Sequence, residues 1–366
     1  MSLRRSLAFT FSSKYIELVL FFLSSIILAR LLTPEDFGVY SIAASIAMFG
    51  YLFRNFGVGQ FIVQVEKLTD ELIRASFTLT LSLSWGIGLL LAVSAPYLAQ
   101  VYEHPGVRDI LYFLAINFLL LPFGAITDAV LRRDLAFKKL AVIQISAAVA
   151  AFLVGVGSAY MGARYLSIAW AANAGTLTTI ILTLVYRPKG LPWMPGIAGL
   201  KKVFAFGLKV GALDLVQKGS DSTTELIIGK AHGLSDLGIY SRAYGAFMLF
   251  EYAFIEGIRP VVLPYLSAAK REKVLLGSVF LRIVSFASIF MLPFFVFLFF
   301  NSLDLIHVLY GDQWGTASGI LQIMCIAGIL LSPTVFFDQL LIAQGRPGLA
   351  LKYQTVSQVA RIGTLL

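Results

Sequence analysis

Residues 75–98 read ASFTLTLSLSWGIGLLLAVSAPYL, a run of 24 positions without a charged side chain. A helix needs about 20 apolar residues to cross the hydrocarbon core of a bilayer, so this run predicts a transmembrane helix. Similar runs recur along the chain. They predict ten complete spans, at 12–32, 37–54, 75–98, 110–131, 139–161, 164–186, 202–229, 238–258, 275–300 and 318–343.

The composition of the 366-residue chain is typical of a polytopic membrane protein. Hydrophobic residues make up 58% and charged residues only 13%, whereas a soluble domain carries about 25% charged residues. A single Cys excludes a disulfide-rich secreted fold. The net charge of +9 does not indicate nucleic acid as a partner, because no basic helix with interleaved aromatics is present.

Lys and Arg alternate strongly between the two sides of the membrane. The sparse side has only Arg30, Arg108, Arg164 and Lys230. Cytoplasmic loops retain Lys and Arg, so the other side is predicted to be cytoplasmic and to hold the N-terminus. That side collects Arg4, Arg5, Arg54, Lys67, Arg74, Arg132, Arg133, Lys138, Lys139, Arg187, Lys189, Lys201, Lys202, Arg259, Lys270, Arg271, Lys273, Arg346 and Lys352.

The two halves of the sequence repeat each other. FGVYS at 37–41 recurs as LGIYS at 237–241, and FTFSSK at 9–14 has a counterpart in FAFGLK at 204–209. A third match follows in the same order, at an offset of 210 residues. Because each repeat contains six helices, both copies start on the same side and form a parallel repeat.

The repeat predicts an all-α fold with two parallel six-helix lobes. The N-terminal lobe covers 1–186, a Pro- and Gly-rich cytoplasmic linker covers 187–201, and the C-terminal lobe covers 202–366. Parallel-repeat transporters bind substrate near the midplane, between the repeats. With the offset of 210, Leu366 corresponds to Val156, so the second lobe is expected to stop inside its fifth helix, in a chain that is naturally longer.

The seventh predicted helix carries charges where lipid would be expected. Asp214, Lys218, Asp221 and Glu225 are spaced 4, 3 and 4 residues apart and share one helix face. A charge at the bilayer centre costs about 3 kcal/mol on insertion scales, so this face must contact protein or water. The face lines an aqueous vestibule or carries intrahelical ion pairs. Three acids against one lysine favour the vestibule.

Other charges in or near predicted helices are further candidates for a substrate or ion cavity. Snorkelling to the interface is the alternative for Lys14 and Arg242. Asp128 is instead expected to form a salt bridge with Arg132 or to cap its helix. The further candidates are Lys14, Glu17, Arg54, Lys209, Arg242, Glu251, Glu256 and Arg259.

Signatures of catalysis are missing from the sequence. The three histidines fall in predicted outer loops without metal-ligand spacing, and Cys325 is alone in an apolar run. No G-x-x-x-x-G-K-[ST] motif is present, so ATP hydrolysis by that route is not expected. The sequence predicts a transporter without enzymatic activity and without a cofactor.

Several strings resemble the Wzx-type polysaccharide flippases and exporters of the multidrug/oligosaccharidyl-lipid/polysaccharide superfamily. The resemblance covers nearly the whole chain in the family's order, and it implies a MATE-like fold in a bacterial inner membrane. The strings are LLTPEDFGVY at 31–40, RRDLAFK at 132–138, LGIYS at 237–241, LPYLS at 263–267, LYGDQW at 309–314 and AQGR at 343–346.

The resemblance implies that a lipid-linked oligosaccharide, usually on undecaprenyl diphosphate, moves from the cytoplasmic to the periplasmic leaflet by alternating access. Other polysaccharide-assembly membrane proteins are expected partners. The acids would bind a coupling proton or sodium ion. Cations suit phosphate oxygens, and the candidates for the diphosphate are Lys14, Arg54, Lys209, Lys218 and Arg259.

Two alternative functions are weighed against this one. An ion-coupled efflux antiporter for organic cations shares the superfamily fold, and the acids at 214–225 fit it. A membrane-bound glycan polymerase or ligase would need a large charged periplasmic loop. The longest predicted outer loop, 301–317, contains Asp304, His307 and Asp312 but no Lys or Arg, which disfavours the enzyme.

Overall fold

The computed structural model describes residues 3–55, 57–250, 255–272, 274–346, 348–349, 352–353 and 355–357, and the side chains of most of them. No β-strand occurs in these ranges. Their α-helices are α1 (Leu3–Leu31), α2 (Pro34–Asn55), α3 (Val58–Gln64), α4 (Asp70–Val101), α5 (Pro105–Leu120), α6 (Pro122–Arg133), α7 (Phe137–Tyr160), α8 (Leu166–Val185), α9 (Leu200–Ala231), α10 (Leu234–Phe250), α11 (Glu256–Arg271), α12 (Leu276–Phe300), α13 (Ser302–Tyr310), α14 (Ala317–Leu331) and α15 (Phe337–Ala343).

The all-α membrane fold predicted from the apolar runs is confirmed. Within the described ranges, six helical stretches are long and apolar enough to cross a membrane, or seven if the bent pair α5 and α6 forms one span. This number is below the ten predicted spans. Two of the remaining predicted spans, 202–229 and 238–258, do not form plain apolar helices of full length. The first lies in α9, which carries several charges along its length, and the second overlaps α10, which has only 17 residues.

The predicted span 37–54 ends where α2 ends, whereas the predicted span 110–131 is interrupted in the structure. The segment after α2 turns at Gly57, whose φ of 62° is a left-handed conformation that glycine adopts without strain. The predicted span 110–131 is bent by 53° between α5 and α6. Pro122 begins α6, because proline lacks the N–H that a continuous helix would need there.

The sequence predicts an outer loop at 301–317, but the interior of this segment is helical, so the prediction is wrong there. It contains α13, followed by a short 3₁₀ turn over Asp312–Trp314. The helix forms because Ile306 and Tyr310, four residues apart, both face the protein and are buried. Trp314 is fully buried as well and anchors the turn.

Contacts between helices divide the chain into two units, Met1–Leu234 and Ser235–Leu366. In the first unit α9 packs against α2 and α4, and α7 packs against α8 and α1. In the second unit α12 packs against α14, and α11 against α15. The lobe boundaries predicted from the repeat stay a prediction.

Candidate functional site

A cavity of about 670 Å³ lies inside the first unit, next to the end of α2. Helices α2, α3, α4, α6, α7 and α8 all contribute to its wall. The cavity lies at the helix ends that carry the predicted cytoplasmic Lys and Arg. Its polar lining consists of Arg54, Gln60, Gln64, Thr80, Asp128, Arg132, Gln144 and Thr179.

Arg54 is a predicted site residue that lines this cavity. It lies in the last turn of α2, just before the left-handed turn at Gly57. Its guanidinium carbon is 5.9 Å from the centre of the Tyr51 ring, a cation–π arrangement on the same helix. The break at Gly57 therefore leaves a cation at a helix end that faces a cavity.

Asp128 and Arg132 form the predicted salt bridge on α6. Arg132 Nε donates to Asp128 Oδ2 at 2.7 Å, and Arg132 Nη2 donates to Oδ1 at 3.4 Å. The residues are four positions apart, which places them one above the other on the same helix face. The charged residues that line the cavity are Arg54, Arg132 and Asp128.

Arg133 holds α3 in place against α6. Its Nη1 donates to the carbonyl oxygens of Ile62 at 2.6 Å, Val65 at 2.6 Å and Val63 at 3.3 Å. Its Nη2 donates to the carbonyl oxygen of Glu66 at 3.2 Å. Ile62 and Val63 lie in the last turn of α3, whose carbonyls have no intrahelical partners, and Val65 and Glu66 follow this turn. Arg133 thereby positions the helix that carries Gln60 and Gln64 into the cavity.

Sequence reasoning misses most of the neutral polar lining. Gln144 and Thr179 lie on α7 and α8, inside runs that were predicted only as apolar spans. Each run contains several polar side chains, and nothing in the sequence distinguishes Gln144 or Thr179 from the others. Such a position becomes informative only when the packing of the helices places it beside other polar groups.

Glu225 is the member of the α9 stripe whose side chain the structure describes. Its carboxylate accepts a short hydrogen bond from the Ser45 hydroxyl of α2. Six predicted site residues have side chains outside the described residues, so their placement in a vestibule stays a prediction. They are Lys209, Asp214, Lys218, Asp221, Glu251 and Glu256.

The remaining predicted residues are not brought to the cavity. Lys14 Nζ and Glu17 Oε2 lie 3.0 Å apart on α1, and the Lys14 side chain is 67% exposed. Arg242 and Arg259 belong to the second unit. The Arg242 guanidinium carbon is 5.7 Å from the centre of the Tyr310 ring. Arg259 lies on the amphipathic helix α11 and is partly buried.

The opposite end of α2 carries a buried acid. Asp36 Oδ2 accepts hydrogen bonds from the Thr33 backbone N–H at 3.0 Å and from the Thr33 hydroxyl at 2.9 Å. Its Oδ1 lies 3.2 Å from Arg164 Nε, and the Asp36 side chain is only 3% exposed. Thr33 binds one carboxylate oxygen of Asp36 where α2 begins, and Arg164 forms an ion pair with the other.

Sequence comparison assigns a family to most of the chain. The family described as "Polysaccharide biosynthesis protein" matches residues 27–318. WzxC of Escherichia coli, named a lipopolysaccharide biosynthesis protein, is 22% identical over 89% of this chain and 67% of its own length. TuaB of Bacillus subtilis, named a teichuronic acid biosynthesis protein, is 26% identical over 83% and 63%. The chain thus spans about two thirds of the length of these relatives.

Solved structures with the same fold are membrane transporters. The lipid II flippase MurJ in an inward closed conformation aligns with a TM-score of 0.76 over 97% of this chain and 79% of MurJ, at 13% identity. An inward-facing MATE family transporter of the MOP superfamily aligns with a TM-score of 0.66 over 95% and 84%, also at 13% identity. At this identity the likeness establishes the MATE-like fold alone.

Proposed function

Because the chain belongs to the polysaccharide biosynthesis protein family, we propose that it moves a lipid-linked oligosaccharide across a bacterial inner membrane. The substrate is of the undecaprenyl-diphosphate type and passes from the cytoplasmic to the periplasmic leaflet by alternating access. The observation that carries the proposal is the cavity beside Arg54, which is lined by neutral polar side chains as well as by arginines, inside an otherwise apolar helical body.

The cavity answers the physical problem of moving a sugar headgroup. Each hydroxyl that loses its hydrogen bonds in hydrocarbon costs a few kcal/mol, so a glycan does not cross about 30 Å of lipid unaided. Amide and hydroxyl side chains such as Gln60, Gln144 and Thr179 replace water as partners. The volume of about 670 Å³ falls in the common range for ligand pockets. It suits part of a headgroup, while the lipid tail stays in the bilayer.

The charge of the cavity distinguishes the proposed substrate from an organic cation. Arg54 and Arg132 outnumber Asp128 among the charged lining residues. An arginine fork matches the oxygens of a diphosphate and forms strong, charge-assisted hydrogen bonds with them. An organic cation would gain no such bonds from these arginines. The cavity therefore supports glycan-lipid transport over cation efflux.

Orientation and energy coupling complete the proposal. The N-terminus lies in the cytoplasm, so the Arg54 end of α2 faces the leaflet on which the substrate starts. Glu225 and the other acids of α9 are the proposed binding groups for a coupling proton or sodium ion. No chemical step on the glycan is assigned to the chain, and other membrane proteins of polysaccharide assembly supply and consume its substrate.

A gene deletion tests the proposed function in cells. Removing the gene is expected to abolish surface polysaccharide and to leave the lipid-linked unit in the inner leaflet, with recovery by the intact gene. Normal surface polysaccharide in the deletion strain would contradict the proposal.

A reconstituted system tests the transport step directly. The full-length protein in vesicles is expected to move a fluorescent polyprenyl-diphosphate oligosaccharide between leaflets, as measured by quenching from outside. Protein-free vesicles are the control. Proton- or sodium-dependent export of an organic cation, without movement of the glycan lipid, would favour the efflux antiporter.

A further inference from the structure

The segment between α8 and α9 is folded back onto the first unit. Arg187 Nη2 donates to the carbonyl oxygens of Leu191 at 3.0 Å and Pro192 at 2.8 Å. The Gly196 N–H donates to the Thr78 hydroxyl of α4 at 2.8 Å, and this hydroxyl also lies 2.8 Å from the Gly196 carbonyl oxygen. The segment is therefore tied down at two points.

Three large apolar side chains project outward from this tied segment. Trp193 is 52% exposed, Met194 71% and Ile197 81%. One face of the Trp193 ring stacks on the Arg187 guanidinium, whose carbon is 3.7 Å from the ring centre. We call Trp193, Met194 and Ile197 the linker patch. Hydrogen bonds hold the backbone of this segment in place, so the three side chains stay exposed and do not fold onto the protein surface.

Basic residues flank the linker patch along the sequence. Lys189, Lys201 and Lys202 are exposed, and residues 187–202 contain no Asp or Glu. Lys139 of α7 adds another positive charge, since its Nζ lies 5.9 Å from the centre of the Tyr186 ring beside Arg187. The surface thus combines exposed apolar groups with concentrated positive charge.

We propose that the linker patch inserts into the bilayer interface and that the flanking lysines bind anionic phospholipid headgroups of the cytoplasmic leaflet. The hydrogen bond of Gly196 to Thr78, near the start of the apolar run 75–98, places the patch close to the hydrocarbon boundary. Tryptophan is favoured at this boundary, and apolar groups flanked by lysines are typical of interfacial membrane anchors. Anionic lipids attract basic residues at the cytoplasmic surface.

This inference is independent of the proposed substrate. It concerns the depth of one segment in the membrane, and it holds for any transported molecule. Bound in this way, the polypeptide between α8 and α9 is kept at a constant depth while helices around it move.

Spin labels on the full-length protein in nanodiscs test the inference. Nitroxides are attached to Met194→Cys and Ile197→Cys, and the native Cys325 is buried in the protein. Lys67→Cys, exposed on the same side, reports the aqueous environment, and Leu89→Cys, exposed in the middle of α4, reports hydrocarbon. Accessibility to oxygen and to a water-soluble nickel chelate is measured at each position.

Labels at 194 and 197 are expected to favour oxygen over the chelate, as at Leu89→Cys and opposite to Lys67→Cys. Equal access of the chelate to positions 194, 197 and 67 would overturn the inference. Protection of 194 and 197 from both reagents would also overturn it, because it would indicate a protein partner.

The lipid composition tests the second half of the inference. Nanodiscs of phosphatidylcholine with phosphatidylglycerol are compared with pure phosphatidylcholine. We expect the labels to lie deeper with the anionic lipid, and we expect Lys189→Gln, Lys201→Gln and Lys202→Gln together to remove this difference. If neither the anionic lipid nor the triple variant shifts the depth, the binding of anionic headgroups is wrong.

Discussion

The two ends of α2 use charged residues in opposite ways. At the Asp36 end, a buried carboxylate is held by Thr33 and lies 3.2 Å from Arg164 Nε. At the Arg54 end, a guanidinium faces a cavity of about 670 Å³. Aspartate and arginine pack together without free space at the Asp36 end. At the Arg54 end, the same residue types line a cavity.

Backbone geometry explains this difference. Gly38, near the Asp36 end, lies directly against the backbone of Leu234, the last residue of the first unit, so there is no room for a side chain at Gly38. At the Arg54 end, the left-handed turn at Gly57 and the start of α6 at Pro122 redirect two helices. The comparison teaches that tight packing and helix breaks, more than charge, decide which end is closed.

The largest expected effect comes from adding one methyl group at the closed end. In Gly38→Ala the new Cβ would overlap the carbonyl oxygen of Leu234, so the backbone has to move. Overpacking of this kind destabilises by about 3 kcal/mol. The free energy of unfolding in detergent micelles measures it, and a change within about 0.5 kcal/mol, the size of an ordinary surface substitution, would refute the tight packing.

Removing the cation at the open end is expected to reduce transport strongly while leaving the fold intact. For Arg54→Ala we predict a loss of about a hundredfold in glycan-lipid transport, or about 2.7 kcal/mol, because a charged partner of the diphosphate is lost. Arg54→Lys should lose less, since it keeps the charge without the fork. Lys67→Ala, an exposed cation on the same side, is the control, and equal rates in all variants would count against Arg54.

The clamp on α3 gives a smaller, local effect. Arg133→Ala removes hydrogen bonds from a charged donor to several backbone carbonyls, which should cost about 1.5 kcal/mol. Faster hydrogen exchange is expected at the amides of α3 but not of α2. The neighbouring exposed Lys138→Ala is the matched control. Unchanged exchange in α3 would show that Arg133 does not position this helix.

The smallest effect is expected for Gly59, which lies at the Arg54 end of α2 and is compared with Gly38 at the Asp36 end. No atom lies within 4 Å of a Cβ added at Gly59, which lines the cavity on α3. Alanine is the better helix former, so Gly59→Ala should be neutral or stabilise by about 0.5 kcal/mol. Destabilisation as large as that of Gly38→Ala would remove the contrast between the two ends.

Local features of the molecule were predictable from the sequence. The positions of the helices follow from the apolar runs, and the bond between Asp128 and Arg132 follows from their spacing of four residues. The bend between α5 and α6 was not predicted, because a proline at 122 is compatible with a continuous apolar run. Helix α13 was missed because its apolar face is short and was interpreted as a loop.

The candidate site was predictable only in part. Arg54 was named from its charge, but nothing in its neighbourhood indicated Gln60 or Gln144 as companions. The stripe on α9 is represented among the described side chains by Glu225, whose partner Ser45 lies 180 residues away. Hydropathy identifies a residue that does not belong in lipid, but it carries no information about what that residue contacts.

The sequence by itself determined that this protein is helical and resides in a membrane. Each segment of about 20 residues that crosses the bilayer has to be apolar, whatever the rest of the chain does. The tertiary structure alone decided where a cavity opens and what closes the other end of α2. Arg133 and Ile62 are 71 residues apart, and Arg164 and Asp36 still further. Such contacts depend on how whole helices pack against one another, and the periodicity within one helix does not specify its neighbours.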